Sequence, residues 1–300
     1  MTLTKSQIKK ASQKIRHGEW SREIQDTVEN FRDQKIPELC SLYIDIHRCL
    51  SRSSDKFFIS GRVKRTKSIR RKIMRPPGGD LTRLADLIGL RVVLSGLAEL
   101  EHSRAAIKSH FKIANEKNYL TAKDSGYRAV HLYVSSPSGE VEIQLRTLAQ
   151  QLWANESEYF GERAKEGAGT TSETSYLAEL SLACKSIDDG HEYKEEISGN
   201  IGASRGPILG RLPFLVDDFA SISSSECVER LYVLVFDTLI NEQVSLDGFE
   251  IKNAHAAVSH FRYKAKVLDE NRYDVILLNS PSEPSLRVTH PIFFPSRAGY

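Results

Sequence analysis

No stretch of the chain approaches the ~18 consecutive apolar residues that a membrane-spanning helix requires. No leader of charged then apolar residues precedes the first helical pattern, so a cytoplasmic protein is expected. The four cysteines (Cys40, Cys49, Cys184 and Cys227) are scattered without metal-ligand spacing, which argues against a structural zinc site and favours buried free thiols. A net charge of +3 is too small to mark the whole chain as nucleic-acid-binding. Internal repeats and long low-complexity tracts are also absent. What is present is enough apolar material, 40% of 300 residues, for about two domains.

Charge is concentrated instead of spread. From Gly61 to Arg75 the chain carries eight Lys or Arg and no acid. Phe57-Phe58-Ile59 leads in as a strand; Thr66 or Ser68 can cap a helix whose Ile69 and Ile73 mark a buried stripe. Arg62 and Lys64 then share one face of the strand end, and Lys72 and Arg75 project from the helix. Such a block suits a polyphosphate, or equally a basic surface for RNA or simple solubility.

The run Asp80 to Leu94 reads as a short helix, a turn at Gly89 and a buried strand. Asp86 falls at the helix end, and Arg91 interrupts an apolar run where an unpaired charge is costly. Either the two form a salt bridge, or Asp86 is a Mg²⁺ ligand and Arg91 a phosphate clamp. Mg²⁺ takes one or two carboxylates plus substrate phosphates, and Asp86 with Glu142 would meet that need.

The sharpest pattern is Gly139 to Arg146. Val141, Ile143 and Leu145 alternate with Glu142, Gln144 and Arg146, so the two sets point to opposite faces of a strand. Gly126 to Val134 repeats the alternation, and Ser136-Pro137-Ser138-Gly139 joins the two as a hairpin. Tyr127, His131 and Tyr133 share the polar face, with Arg128 on the other side. An aromatic ring, an imidazole, an acid, an amide and a guanidinium on one surface outline a nucleotide site.

These pieces, in order, are Arg62 to Lys72, Asp86-x-x-Gly-x-Arg91, Lys123-x-x-Gly-Tyr-Arg-x-x-His131, Glu142-Ile-Gln-x-Arg-Thr147 and Trp153-Ala154. Together they resemble the synthetase domain of the RelA/SpoT family over roughly residues 55 to 165. The resemblance implies an α+β fold: a mixed β-sheet flanked by helices in a nucleotidyltransferase-like core. It also implies transfer of pyrophosphate from ATP to the 3′-hydroxyl of GDP or GTP, releasing AMP. By that analogy Arg62, Lys64, Ser68, Lys72, Arg75 and Arg91 hold ATP, and Tyr127 stacks on the acceptor base. Lys123, His131, Gln144 and Arg146 surround that base and its phosphates. Asp86 and Glu142 hold Mg²⁺, with Glu142 the general base. Implied partners are ATP and GDP or GTP, with tRNA or an antitoxin for a toxic member; a homo-oligomer is compatible, a membrane is not implied.

Two departures stand out. Ser157 and Glu158 occupy positions where familiar small alarmone synthetases carry a Glu-His step, which resembles a divergent subgroup with an added C-terminal domain. Toxic members of the wider family use adenosine nucleotides or the tRNA 3′ end, so the acceptor stays open. The His-Asp dyad of the family's hydrolase domain is missing, so a synthetase without hydrolase is expected.

The expected organisation is N-terminal helices over 1–54, with Pro37 breaking the run, and a catalytic domain over 55–197. A linker over 198–227 and a small C-terminal α/β module over 228–300 follow. Leu97 to His110 and Thr147 to Arg163 read as helices, and Gly161 to Ser175 as a lid or a connector. In the module, Leu231 to Phe236 and Tyr273 to Leu278 read as strands flanking a helix from Ala254 to Leu268. It could regulate, dimerise or recognise a partner. His255, His260 and His290 read as ordinary surface histidines.

Overall fold

The computed structural model describes residues 3–52, 57–121, 125–137, 139–161, 169–191, 199 and 230–294. Helices α1 (Lys5–Arg16), α2 (Arg22–Asp33) and α3 (Ile36–Ser51) lead in. Thr4 caps α1 in a reciprocal box with Gln7, and Ser21 caps α2. Pro37 lies in the first turn of α3, where its missing N–H has no helical partner to lose, so it marks the break between α2 and α3.

The next elements are β1 (Phe57–Val63), α4 (Thr66–Met74), β2 (Ile88–Leu94), α5 (Leu97–His110) and β3 (Ile113–Asn118). The hairpin β4 (Val130–Ser136) and β5 (Gly139–Thr147) follows, then α6 (Leu148–Tyr159) and α7 (Thr171–Asp188). The chain closes with β6 (Arg230–Asp237), β7 (Glu242–Glu250), α8 (Ala254–Val267), β8 (Tyr273–Ser280) and α9 (Glu283–Thr289). Neither Thr66 nor Ser68 caps α4: the cap position is Arg65, and the Thr66 hydroxyl accepts from Arg32 Nη1 at 2.8 Å instead. Gly89 is not a turn but the second residue of β2, and Tyr127 precedes β4 instead of lying in it.

One mixed sheet organises the chain, in the order β3-β4-β5-β2-β1-β8-β6-β7. β2 and β5 run parallel, and the other neighbours are antiparallel. Ile59, Val92, Leu132 and Ile143 face one side and are buried with residues of α3 and α5; Val233 and Leu277 continue that core beneath α8. On the opposite side α6, α7 and α9 cover only part of the sheet, with Phe58, Val93, Trp153, Leu177 and Val288 in one cluster. The uncovered remainder is polar.

The C-terminal strands are present as expected, and they extend this same sheet. β8 pairs with β1 through Gly61–Asn279 and Arg62–Leu278. Gly61 permits the approach, because a Cβ there would lie 3.1 Å from that of Asn279 and 3.2 Å from Leu39 and Leu90. β7 was not anticipated: as a half-exposed strand at the sheet's end it lacks the buried alternation that identifies its neighbours.

Candidate functional site

The register lines the polar residues up across strands. Arg91 pairs with Ser60 on one side and Gln144 on the other, Gln144 pairs with His131, and His131 with Lys117. The next rung runs Leu278, Arg62, Gly89, Glu142, Tyr133. Because side chains of paired residues share a face, two rows of polar groups cross the uncovered side of the sheet. Gly89 sits between Arg62 and Glu142 and leaves the floor open between them.

Glu142 is the most heavily engaged group. Its Oε1 accepts from His131 Nδ1 at 2.9 Å and from the Tyr133 hydroxyl at 3.1 Å, and its Oε2 accepts from Gln144 Nε2 at 2.9 Å. Burial alone would raise its pKa. The His131 bond and charge, the Gln144 bond and the Arg62 charge outweigh that and hold the carboxyl well below its usual range. Burial and the Glu142 charge push the Tyr133 phenol up, so it stays a donor. Glu142 can only accept, so His131 Nδ1 carries the proton between them; on its other side His131 Nε2 meets the Tyr127 hydroxyl at 2.6 Å, whose oxygen accepts from Arg146 Nη2 at 3.1 Å. Arg146 and Tyr127, expected around the acceptor, are buried here, and the Tyr127 ring packs edge-on against Tyr119, His131 and Trp153.

Asp86 sits in the turn before β2, one residue from Ala85, whose carbonyl accepts from the Glu142 N–H. Its Oδ2 takes Lys64 Nζ at 2.8 Å and Lys72 Nζ at 2.7 Å. Burial opposes ionisation, but the two lysines hold the carboxyl below its ordinary value. Oδ1 is buried with no hydrogen-bond partner among the described residues. An ionised carboxylate with a spare buried oxygen is suited to a hard divalent cation, so the residues fit Mg²⁺. Among the described residues no group of three or more His, Cys, Asp or Glu gathers for a metal, so substrate oxygens would have to complete the coordination.

Arg91 does not pair with Asp86. Its Nη1 donates to the Thr289 carbonyl at the end of α9, and its Nη2 lies 3.7 Å from Glu158 on α6. Burial, reinforced by Arg146 and opposed by Glu158, lowers its pKa to about 9. Gln151 Nε2 donates to the same Thr289 carbonyl at 3.3 Å. Next to it His290 is 3% exposed, which corrects the expectation of a surface histidine. Its Nδ1 meets the Thr289 hydroxyl at 2.9 Å and its Nε2 has no partner among the described residues. No local signal in Val288-Thr289-His290-Pro291 marks this role, because the contact is made by the fold. Glu158, noted only as a departure, is the acid facing Arg91.

Of the other expected residues, Arg62 is half-buried and close enough for its charge to act on both Glu142 and His290. Ser68 is half-buried on α4, and Arg75 is exposed at its C-cap. Lys123 lies outside the described residues, as do Cys227 and the 198–227 linker except for residue 199. Cys40, Cys49 and Cys184 are buried free thiols.

Burial and the surrounding Arg91, Arg62 and Arg146 charges, opposed by Glu158, push the His290 pKa well below 6.5. A base whose folded pKa is depressed contributes full stability above its unfolded value and loses it as pH falls below about 6.5, by up to about 1.4 kcal/mol per pH unit. The melting temperature is therefore expected to drop between about pH 7.5 and 5.5, and His290→Gln to flatten that drop. Equal slopes for the two proteins would remove His290 as the cause.

Residues 61–160 match the family described as the region found in RelA / SpoT proteins. The uncharacterized protein Rv1366 of Mycobacterium tuberculosis is 35% identical over 108 residues, 34% of this chain and 39% of that protein. GTP pyrophosphokinase YjbM of Bacillus subtilis is 34% identical over 110 residues, 32% of this chain and 52% of that protein. The chain thus spans about half or less of the length of these curated relatives. Among solved structures, a GTP pyrophosphokinase family protein from Streptococcus pneumoniae is 26% identical, with a TM-score of 0.47 over 54% of this chain and 89% of that one. Small alarmone synthetase 1 from Bacillus subtilis, bound to its product pppGpp, is 25% identical, with a TM-score of 0.46 over 54% of this chain and 93% of that one.

Proposed function

We propose, from the premise that residues 61–160 belong to the RelA/SpoT family, that the chain is a Mg²⁺-dependent pyrophosphokinase. It transfers the β,γ-pyrophosphate of ATP to the 3′-hydroxyl of GDP or GTP, giving ppGpp or pppGpp and AMP. The observation that carries this reading is the ionised Glu142, aimed by His131, Tyr133 and Gln144 on the same polar face as Arg62. The residue before Asp86 is hydrogen-bonded to the Glu142 backbone, which brings the second carboxylate to the same site.

In this reading Arg62, Lys64, Ser68, Lys72, Arg75 and Arg91 hold the donor. Lys123, Tyr127, His131, Gln144 and Arg146 serve the acceptor. The acceptor 3′-oxygen attacks the β-phosphorus, and the bond from that phosphorus to the α–β bridging oxygen breaks as AMP leaves. Glu142 accepts the hydroxyl proton. A carboxylate held at low pKa is a weak base, which suits a loose transition state that asks more for alignment and neutralised charge than for early deprotonation. Bound Mg²⁺, held by Asp86 and Glu142, would supply charge neutralisation on the transferred group. Lys64 and Lys72, now on Asp86, are placed to pass to phosphate oxygens.

A second reading keeps the donor chemistry and changes the acceptor to an adenosine nucleotide or the tRNA 3′ end. It rests on the departure at Ser157 and Glu158, the latter an acid 3.7 Å from Arg91. The test is purified protein with Mg²⁺ and β/γ-labelled ATP, offered GDP, GTP, ADP, AMP and deacylated tRNA in parallel. Label on GDP or GTP is expected. Label confined to adenosine acceptors or tRNA would replace the first reading by the second, and no transfer with ATP still bound would leave a nucleotide-binding module.

A further inference from the structure

The charge of this protein is segregated. Residues 1–18 and 61–79 hold 13 of its 42 Lys and Arg and none of its 39 Asp and Glu, leaving a remainder with a surplus of ten negative charges. The fold brings the two acid-free segments together. Ile8, Ala11 and Ile15 of α1 share a core with Ile69 and Ile73 of α4, and the Arg16 stem lies over Gly78, where a Cβ would sit 2.6 Å from Arg16 Cδ.

Lys5, Lys9 and Arg16, separated by one turn and then two, line one exposed side of α1. That side adjoins the segment after α4, which adds exposed Arg75 and Arg83. The acid bordering the row, Asp80, spends its hydrogen bonds on Thr82, whose N–H and hydroxyl donate to its Oδ1 at 2.8 and 2.7 Å, while its charge faces Lys9 and Arg83. The arrangement works against both helices. Lys5–Lys9, Lys10–Lys14 and Lys67–Arg71 are like charges a turn apart, and neither helix has an acid in its first turn to complement its dipole. Lys14, Arg16, Arg71 and Lys72 do suit the last turns of their helices, but no acid within either helix offsets the like-charge pairs, whereas a bound polyanion would.

We infer that α1 and the α4-to-Arg83 segment form a docking surface for the phosphodiester backbone of a nucleic-acid strand, running outward from the polar cleft. A protein partner fits poorly, because among the exposed large apolar side chains of the described residues only Met74 lies in these segments. An inserted membrane helix fits poorly too, since the apolar side of α1 is already buried. The surface needs no turnover, so it stands or falls separately from the proposed activity.

The test is fluorescence anisotropy of the full chain with a labelled RNA or DNA single strand of about 20 nucleotides, longer than common single-strand sites. With about six phosphates engaged, binding should weaken with salt at a log–log slope of about 4. Lys5→Gln/Lys9→Gln/Arg16→Gln should lower that slope by about 2 and weaken binding at least about tenfold in physiological salt, with a melting temperature that does not fall. Lys252→Gln/Lys266→Gln, in the acidic remainder, should change neither. The inference is overturned by no binding at low salt, by equal losses in both variants, or by equal affinity for polyglutamate or phosphatidylserine vesicles.

Discussion

Glu142→Gln is expected to lower kcat for pyrophosphate transfer by about 10²–10⁴-fold, the range spanned by removing a positioned general base. The amide keeps the volume but cannot take a proton. Its NH₂ also cannot accept from the donors that converge on the carboxylate, His131 and Tyr133 on one oxygen and Gln144 on the other. One buried donor is left unpaired, at a cost of about 1–3 kcal/mol in stability. Melting temperature and ATP affinity must therefore be measured beside turnover. A folded variant that binds ATP and turns over normally would take Glu142 out of the chemistry.

The second large effect is on stability. Trp153 is among the largest fully buried side chains, 2% exposed, and joins three parts of the molecule. It lies on α6, its Nε1 donates to the Leu177 carbonyl of α7 at 2.8 Å, and its ring packs against Tyr127. Trp153→Ala is expected to cost about 3–5 kcal/mol, read as a lowered denaturant midpoint with little change in slope. Because Tyr127 leans on the same ring, the hydrogen-bonded line from Arg146 to Glu142 should loosen with it. A midpoint unchanged within error would mean that α6 and α7 are held by other contacts.

The hairpin was legible because a period of two in apolar residues is a local signal, and Val130 to Leu145 obeys it without interruption. The same alternation put Glu142, Gln144 and His131 on one face before any coordinates. What local pattern could not supply was the neighbour across the parallel pair. Arg91 stands beside Gln144 because β2 and β5 pair after an intervening helix and two strands, and register across such a crossover is set by packing. Asp86 was legible as a Mg²⁺ ligand or a partner for Arg91, but its two lysine partners depend on how α4 folds back over the turn before β2. His290 was misread for the same reason. Its burial comes from α9 crossing the sheet, and nothing in its own sequence neighbours foretells that.

The separation of 198 positions from Arg91 to Thr289 also orders events in time. At roughly 5–20 residues per second, Arg91 emerges from the ribosome about 10–40 s before the carbonyl that receives it. Through that interval β1 has no β8 beside it, so the growing chain carries an open strand edge next to a water-exposed guanidinium. Strand β8 seals that edge and helix α9 behind it sets the arginine, so the last-made elements complete the cleft.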